Sequence, residues 1–303
     1  MFFIRLIFIK LSKNNIINKE RDDSMDLKKY FEIATGLYAV QISTYSESFA
    51  HTNYCITSNL AEDYIMRTSP LNLNFKELYA QEYEFIKIAK KEKYDSDIVF
   101  FDRDDGVKIF KKHGETTSQE DIVENYALFI KSLKNMHSLD YSNSNLKEFS
   151  PLDLYKYIRE RLEISHVKSE VEDYIIKKAQ NIYNNCTRKT ICHNNLSLHN
   201  IVKYDNKYIF NSTQLVSVSD PLYDLANFFF KSKITNKVVI EKFLKRYLGN
   251  EYSDNVYESI KIYILLAKLI YTVWNEYLYI MTDINYHKQR YEKLIYQLNQ
   301  IKM

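Results

Sequence analysis

Cysteine and glycine are both scarce in this 303-residue sequence. The three cysteines, Cys55, Cys186 and Cys192, form no C-x-x-C pair and are odd in number, which argues against a disulfide framework and against a zinc site. A reducing, cytoplasmic setting is the simplest expectation. The four glycines, Gly36, Gly106, Gly114 and Gly249, stand far apart, so no Gly/Ser linker divides the chain. Neither sign of charge prevails: 42 Lys+Arg against 39 Asp+Glu leave a formal +3, without the basic footprint of a nucleic-acid binder. Long apolar runs are also missing. Met1 to Lys10 is apolar but interrupted by Arg5, and it falls far short of the roughly 18–20 residues that span a bilayer. No small-residue cleavage site follows it, and no transmembrane segment is expected.

What the sequence does contain is a large apolar fraction, 46%, enough to bury a substantial core as one two-lobed domain or two domains. Tyrosine is abundant at 27 residues. Residues 1–24 are expected to be a poorly ordered or upstream extension, and Met25-Asp-Leu-Lys-Lys-Tyr-Phe opens a better-patterned segment. Weak membrane contact through Phe2, Phe3, Leu6 and Phe8 is the alternative for the extension.

From Tyr38 to Arg67 the pattern is strand-like, with short β-branched and aromatic runs at Tyr38-Ala-Val-Gln-Ile, Tyr54-Cys-Ile-Thr and Asp63-Tyr-Ile-Met-Arg. Phe75 to Lys93 turns helical, with Leu78, Tyr79, Glu82, Phe85, Ile86 and Ala89 at three- and four-residue steps. Two more strands, Asp97-Ile-Val-Phe-Phe and Gly106-Val-Lys-Ile-Phe, flank the charged turn Asp102-Arg-Asp-Asp-Gly106. After Thr116 the chain is mainly helical: one helix is expected over Asp121–His137, others over Pro151–Leu162 and Ser169–Tyr183, and more from Pro221 onward. Strands first and helices later predict an α+β fold with a β-rich N-lobe, residues 25–115, and a mainly α-helical C-lobe, residues 116–303.

The chemistry-bearing stretch is Ile191-Cys-His-Asn-Asn-Leu-Ser-Leu-His-Asn-Ile-Val202, then Tyr208-Ile-Phe-Asn-Ser-Thr-Gln214, then Ser219-Asp-Pro-Leu-Tyr-Asp-Leu-Ala226. In order and spacing it resembles the catalytic loop and metal segment of the choline/ethanolamine kinase family, within the aminoglycoside phosphotransferase-like superfamily. The Asn after His193 favours the choline kinase branch. The resemblance covers about residues 30–295. It implies a protein-kinase-like two-lobed fold, with ATP and Mg²⁺ as cofactors and choline or ethanolamine as the amino-alcohol partner. Thr52-Asn53-Tyr54 matches the motif after the nucleotide loop. Arg67 matches the Arg that replaces the protein-kinase lysine, and Glu82 matches its helix partner. Lys108, in Gly106-Val-Lys-Ile-Phe, completes the nucleotide-side set. His193 would orient the loop, Asp224 would brace it, and Asn200 matches the metal-binding Asn. Tyr271-x-x-Trp274 matches an aromatic pair that cages choline, and Tyr286 with Arg290-Tyr291 matches a late aromatic-Arg motif.

The sequence departs from the family at the acids. Phosphoryl transfer wants a carboxylate to accept the substrate hydroxyl proton, and an Asn and an Asp to hold Mg²⁺. The base position is Asn195, and the metal-binding Asp falls on Ser212, or on Asn211 with one insertion. The nucleotide-loop stretch, Ser43-Thr-Tyr-Ser-Glu-Ser-Phe-Ala-His51, contains no glycine, and Glu47 adds negative charge. Three readings follow: a catalytically impaired or pseudokinase descendant; a weak but active kinase in which Asp205 or Asp220 substitutes; and a non-catalytic interaction protein on the same fold.

Overall fold

A computed structural model describes residues 23–47, 51–68, 76–94, 97–114, 116–162 and 166–301. The expected extension up to residue 22 and positions 48–50 of the nucleotide-loop stretch lie outside the described residues. The chain divides into two compact units, Met1–His113 and Gly114–Met303. Among the described residues no helix is long and apolar enough to cross a membrane.

Unit 1 opens with helix α1 (Asp23–Thr35), followed by strands β1 (Ala39–Glu47), β2 (Thr52–Ser58) and β3 (Asp63–Thr68). Helix α2 (Lys76–Lys91) and strands β4 (Ile98–Phe101) and β5 (Lys108–Lys111) complete it. The five strands form one antiparallel sheet in the order β1-β2-β3-β5-β4. Side chains alternate across a strand, so β3 serves two faces. Tyr64 and Met66 join Phe31 of α1, Ile56, Val107 and Ile109 in an apolar core. Arg67, one step out of phase with them, meets Glu82 of α2 instead. Fully burying each of the larger side chains in this core contributes about 1.5–3 kcal/mol.

The charged turn into β5 is built as the sequence suggests. Asp102 Oδ1 accepts from the backbone N–H groups of Asp104 (2.8 Å) and Asp105 (3.1 Å). Gly106 closes the turn at φ +69, and a Cβ there would sit 2.4 Å from the Tyr79 ring, so only glycine fits.

Unit 2 contains helices α3 (Gln119–Glu124), α4 (Tyr126–His137), α5 (Pro151–Arg159) and α6 (Ser169–Asn184), then strands β6 (Thr190–Cys192), β7 (Ile201–Tyr204), β8 (Lys207–Phe210) and β9 (Ser217–Ser219). Helices α7 (Pro221–Lys231), α8 (Lys237–Leu248), α9 (Asp254–Thr282) and α10 (Asn285–Leu298) follow. The strands pair as two small antiparallel sheets, β6-β9 and β7-β8. The single helix expected over Asp121–His137 is two helices. At the break, Asn125 leaves helical geometry (φ −99, ψ 29) and its amide donates to the Asp121 carbonyl at 3.0 Å. Asn competes for backbone partners in this way, which the apolar stripe alone does not reveal.

Helix α9 is 29 residues long and packs against α5, α6, α7 and α10. Its stripe of Ile260, Tyr263, Ala267, Ile270, Val273 and Tyr277 is buried, which makes it the scaffold of the unit. A second core gathers Phe129 of α4, Phe228 of α7 and Phe243 of α8, with the Phe129 and Phe228 rings stacked at 4.6 Å.

Candidate active site

The unit 1 residues singled out by sequence form a row across the sheet. Arg67 of β3 is directly opposite Asn53 of β2 on one side and Lys108 of β5 on the other. Arg67 donates through its two terminal guanidinium nitrogens to Glu82, at 3.0 and 2.7 Å, and also to the Gly106 carbonyl at 2.9 Å. Lys108 Nζ lies 3.3 Å from the same carboxylate. All three are buried, with exposures of 3% for Arg67, 0% for Glu82 and 4% for Lys108. One carboxylate thus holds two cations away from water, an arrangement sustained only by close pairing. His51, just before β2, is buried beside this group; burial and then the Arg67 charge push its imidazole down to about 3, so it is neutral. Thr52 and Asn53 are half-buried, and the Asn53 amide donates to Ser46 Oγ at 2.9 Å.

In unit 2, β6 delivers the stretch His193-Asn194-Asn195 onto the start of α7. Asp220 caps that helix, accepting from the Leu222 N–H at 2.9 Å, with Pro221 in the first turn. One turn on, fully buried Asp224 receives the loop: its two oxygens accept from the backbone N–H of His193 (2.7 Å) and Asn194 (2.6 Å). His137, at the end of α4, places Nε2 3.1 Å from the same carboxylate, while Nδ1 lies 2.6 Å from the Tyr247 hydroxyl. Asn194 adopts the left-handed region at φ 59, and its amide donates to Ser217 Oγ (2.8 Å) and the Leu215 carbonyl (2.9 Å). Asn tolerates this conformation better than most residues.

The loop then turns on His193. Its Nδ1 accepts from the Asn195 N–H at 3.2 Å, so Nε2 is the donor to the Asn211 carbonyl at 2.6 Å. Asn200 donates through its amide to the Asn195 carbonyl at 2.9 Å, which leaves its oxygen as the potential metal ligand. Ser212 lies beyond β8 in the left-handed region, at φ 62. With Asn200 and Ser212 (or Asn211) the inferred metal set contains neutral oxygens alone, and a Mg²⁺ site normally includes at least one carboxylate. These residues do not fit the ion the resemblance implies.

Neither candidate substitute acid takes the base position. Asp205 is exposed in the β7–β8 turn at φ 45. Asp220 is buried and held by its capping bond and by the Tyr263 hydroxyl at 2.7 Å; burial, the largest influence, raises its pKa. Asn195 itself accepts, through its side-chain oxygen, from Lys231 Nζ. The sequence reading missed Lys231. A positional signal exists: Lys231 lies two helical turns after Asp224, on the same face of α7.

The aromatic residues divide. Tyr271 of α9 and Tyr286 of α10 both lie against Arg290, whose guanidinium carbon is 5.1 and 4.9 Å from their ring centres. Tyr286 is 57% exposed. Trp274 packs on Tyr277 instead, with ring centres 6.1 Å apart. His137, Cys192 and Asp224 lie together as a potential ligand trio. Their atoms are already engaged: both Asp224 oxygens take amide donors, and burial keeps the Cys192 thiol protonated, 3.4 Å from the Ser219 carbonyl. The trio is a hydrogen-bonded brace, not a metal set.

No known family profile matches the chain, and no characterised protein matches it by sequence. Solved structures match by shape. Choline kinase LicA from Streptococcus pneumoniae superposes with a TM-score of 0.70 at 18% identity, covering 92% of this chain and 99% of that one, and has also been solved in complex with AMP. A Plasmodium vivax ethanolamine kinase gives 0.69 at 15% identity, covering 93% of this chain and 91% of that one. The aminoglycoside phosphotransferase APH(2")-IIIa, in its complex with GDP and kanamycin, gives 0.67 at 12% identity, covering 91% of this chain and 98% of that one. The chain has the two-lobed, kinase-like α+β fold of the choline and ethanolamine kinases and of the aminoglycoside phosphotransferases.

Proposed function

We propose that this protein is a choline/ethanolamine kinase-like protein that keeps the fold and the loop scaffold of a phosphotransferase but is catalytically impaired, acting as a ligand-binding pseudokinase. The observation that carries this reading is Asn195: it sits in a loop braced by Asp224 and His193, yet its oxygen accepts from the Lys231 ammonium. An amide cannot take up a hydroxyl proton near neutral pH, and loss of a positioned base costs about 10²–10⁴-fold in rate. The neutral set at Asn200 and Ser212 weakens any hold on Mg²⁺. Nucleotide contact through the buried Arg67–Glu82–Lys108 row is part of the reading, and the AMP complex of the structural neighbour supports it. The three unpaired cysteines suit a reducing cytoplasm.

One observation favours a second reading, a weak kinase. Burial and then Arg290 lower the Lys231 pKa to about 8, so above that pH a neutral amine beside Asn195 could accept the proton. Phosphocholine formation from choline and MgATP separates the two. No turnover by the unmodified chain at pH 7 or 9 supports the impaired reading. Turnover that rises through about pH 8 and disappears in Lys231→Met installs Lys231 as the base.

A further inference from the structure

Two cations share one aromatic ring in unit 2. Lys231 Nζ, at the end of α7, lies 5.7 Å from the centre of Tyr271, and the Arg290 guanidinium carbon, from α10, lies 5.1 Å from it. Arg290 also covers Tyr286 at 4.9 Å and donates to its hydroxyl. Both cations are partly buried, and among the described residues neither forms an ion pair. Asp224 is occupied by the loop amides and His137, and Glu276 of α9 is paired with His166. Partly buried charge is normally compensated, and here the missing member is negative.

The same contacts work against a quaternary ammonium. Such a ligand binds through the faces of aromatic rings. The chain's own cations already lie over Tyr271 and Tyr286, so an incoming ammonium meets positive charge as well as competition for the rings. Asn195 adds no carboxylate to offset it.

We propose that Lys231, Arg290, Tyr271 and Asn195 form a binding site for a phosphate-bearing small molecule, with the two cations as its counter-charges, and that the site rejects choline. This rests on the reading that the Tyr271–Tyr286 end of unit 2 is a ligand site. Lys231 and Arg290 suit the role: guanidinium presents a fork of donors to phosphate oxygens, and ammonium adds a point charge.

Trp274, the only tryptophan in the chain, is one helical turn from Tyr271 and serves as a local reporter. The full chain is titrated with inorganic phosphate and, separately, with choline, following Trp274 emission and heat of binding at fixed ionic strength. The expected result is saturable phosphate binding, weakened roughly ten- to hundred-fold by Lys231→Met and by Arg290→Met, with no saturable choline binding. The Lys231→Met, Arg290→Met double variant is expected to gain choline binding. Lys231→Gln and Arg290→Gln, which keep polar side chains of similar reach, replace any Met variant that fails to fold. Saturable choline binding by the unmodified chain, or phosphate binding indifferent to both substitutions, overturns the proposal while leaving a ligand site in place. If neither ligand binds the unmodified chain or the double variant, the ligand-site reading falls along with it.

Discussion

Each unit encloses a carboxylate among the donors that converge on it, Glu82 in unit 1 and Asp224 in unit 2. In unit 1, Glu82 is fully enclosed and pairs with both Arg67 and Lys108. In unit 2, Asp224 is just as enclosed, and it holds two backbone amides and His137. Both acids are present, and each has donors packed around it that would be stranded without it. The half-buried positions Asn195 and Ser212, where the resemblance implies acids, carry none. The contrast lies between acids on which packed donors depend and positions where the resemblance implies acids but the loop closes without them. Removing the first leaves buried donors without acceptors, whereas removing the second leaves the loop's hydrogen bonds intact.

That comparison can be broken by mutation. The largest effect is expected at Glu82→Gln, which leaves two buried cations under-compensated and should lower stability by about 3–5 kcal/mol in urea unfolding. Next comes Asp224→Asn: an amide offers one acceptor where three donors converge, and a loss of about 2–3 kcal/mol is expected by the same measurement, with faster amide exchange at His193 and Asn194. If Asp224→Asn proved neutral, the brace would not be what holds the loop.

A pH effect of intermediate size is expected in unit 1. His51 stays neutral in the folded chain down to about pH 3, whereas an unfolded histidine takes up its proton near 6.5. The unfolded state therefore binds more protons in that window. Stability is present in full above about 6.5 and declines as pH falls toward 3, by at most roughly 1.4 kcal/mol per pH unit. His51→Gln should flatten that slope, as read by hydrogen exchange of the β2 amides between pH 7 and 4.

The smallest stability change is expected at Asn195→Ala, under about 1 kcal/mol, because the loop bonds made by its backbone survive. Its counterpart sharpens the comparison through activity. Asn195→Asp with Ser212→Asp restores the two acids, but the new carboxylate faces Lys231. Adding Lys231→Gln should raise phosphocholine formation above that of the double variant. Equal rates would show that Lys231 does not oppose choline.

Much of this was legible because the residues lie close in sequence. The alternation of β1 to β3, the Asp102–Gly106 turn and the Asp220-Pro221 helix start each depend on neighbours within a few positions. The loop from His193 to Asn200 was picked out by its resemblance to a family motif, and its bonds span two and five residues. Helix α1 was foreshadowed only by a better-patterned start at Met25, and the break at Asn125 went unread, because a side chain competing for backbone partners leaves no mark on an apolar stripe.

By itself, then, the sequence determined the order of elements, the α+β class and the chemical types available in the loop, because hydrophobic period and residue spacing are local quantities. What each of those groups touches was decided in three dimensions. His137 reaches Asp224 across 87 positions, and Lys231 reaches Asn195 across 36. Two cations from α7 and α10 lie over one ring of α9. Charge acts through space and is strengthened by burial, so whether a position is acidic in effect, neutral or opposed by a cation depends on which helices pack beside it.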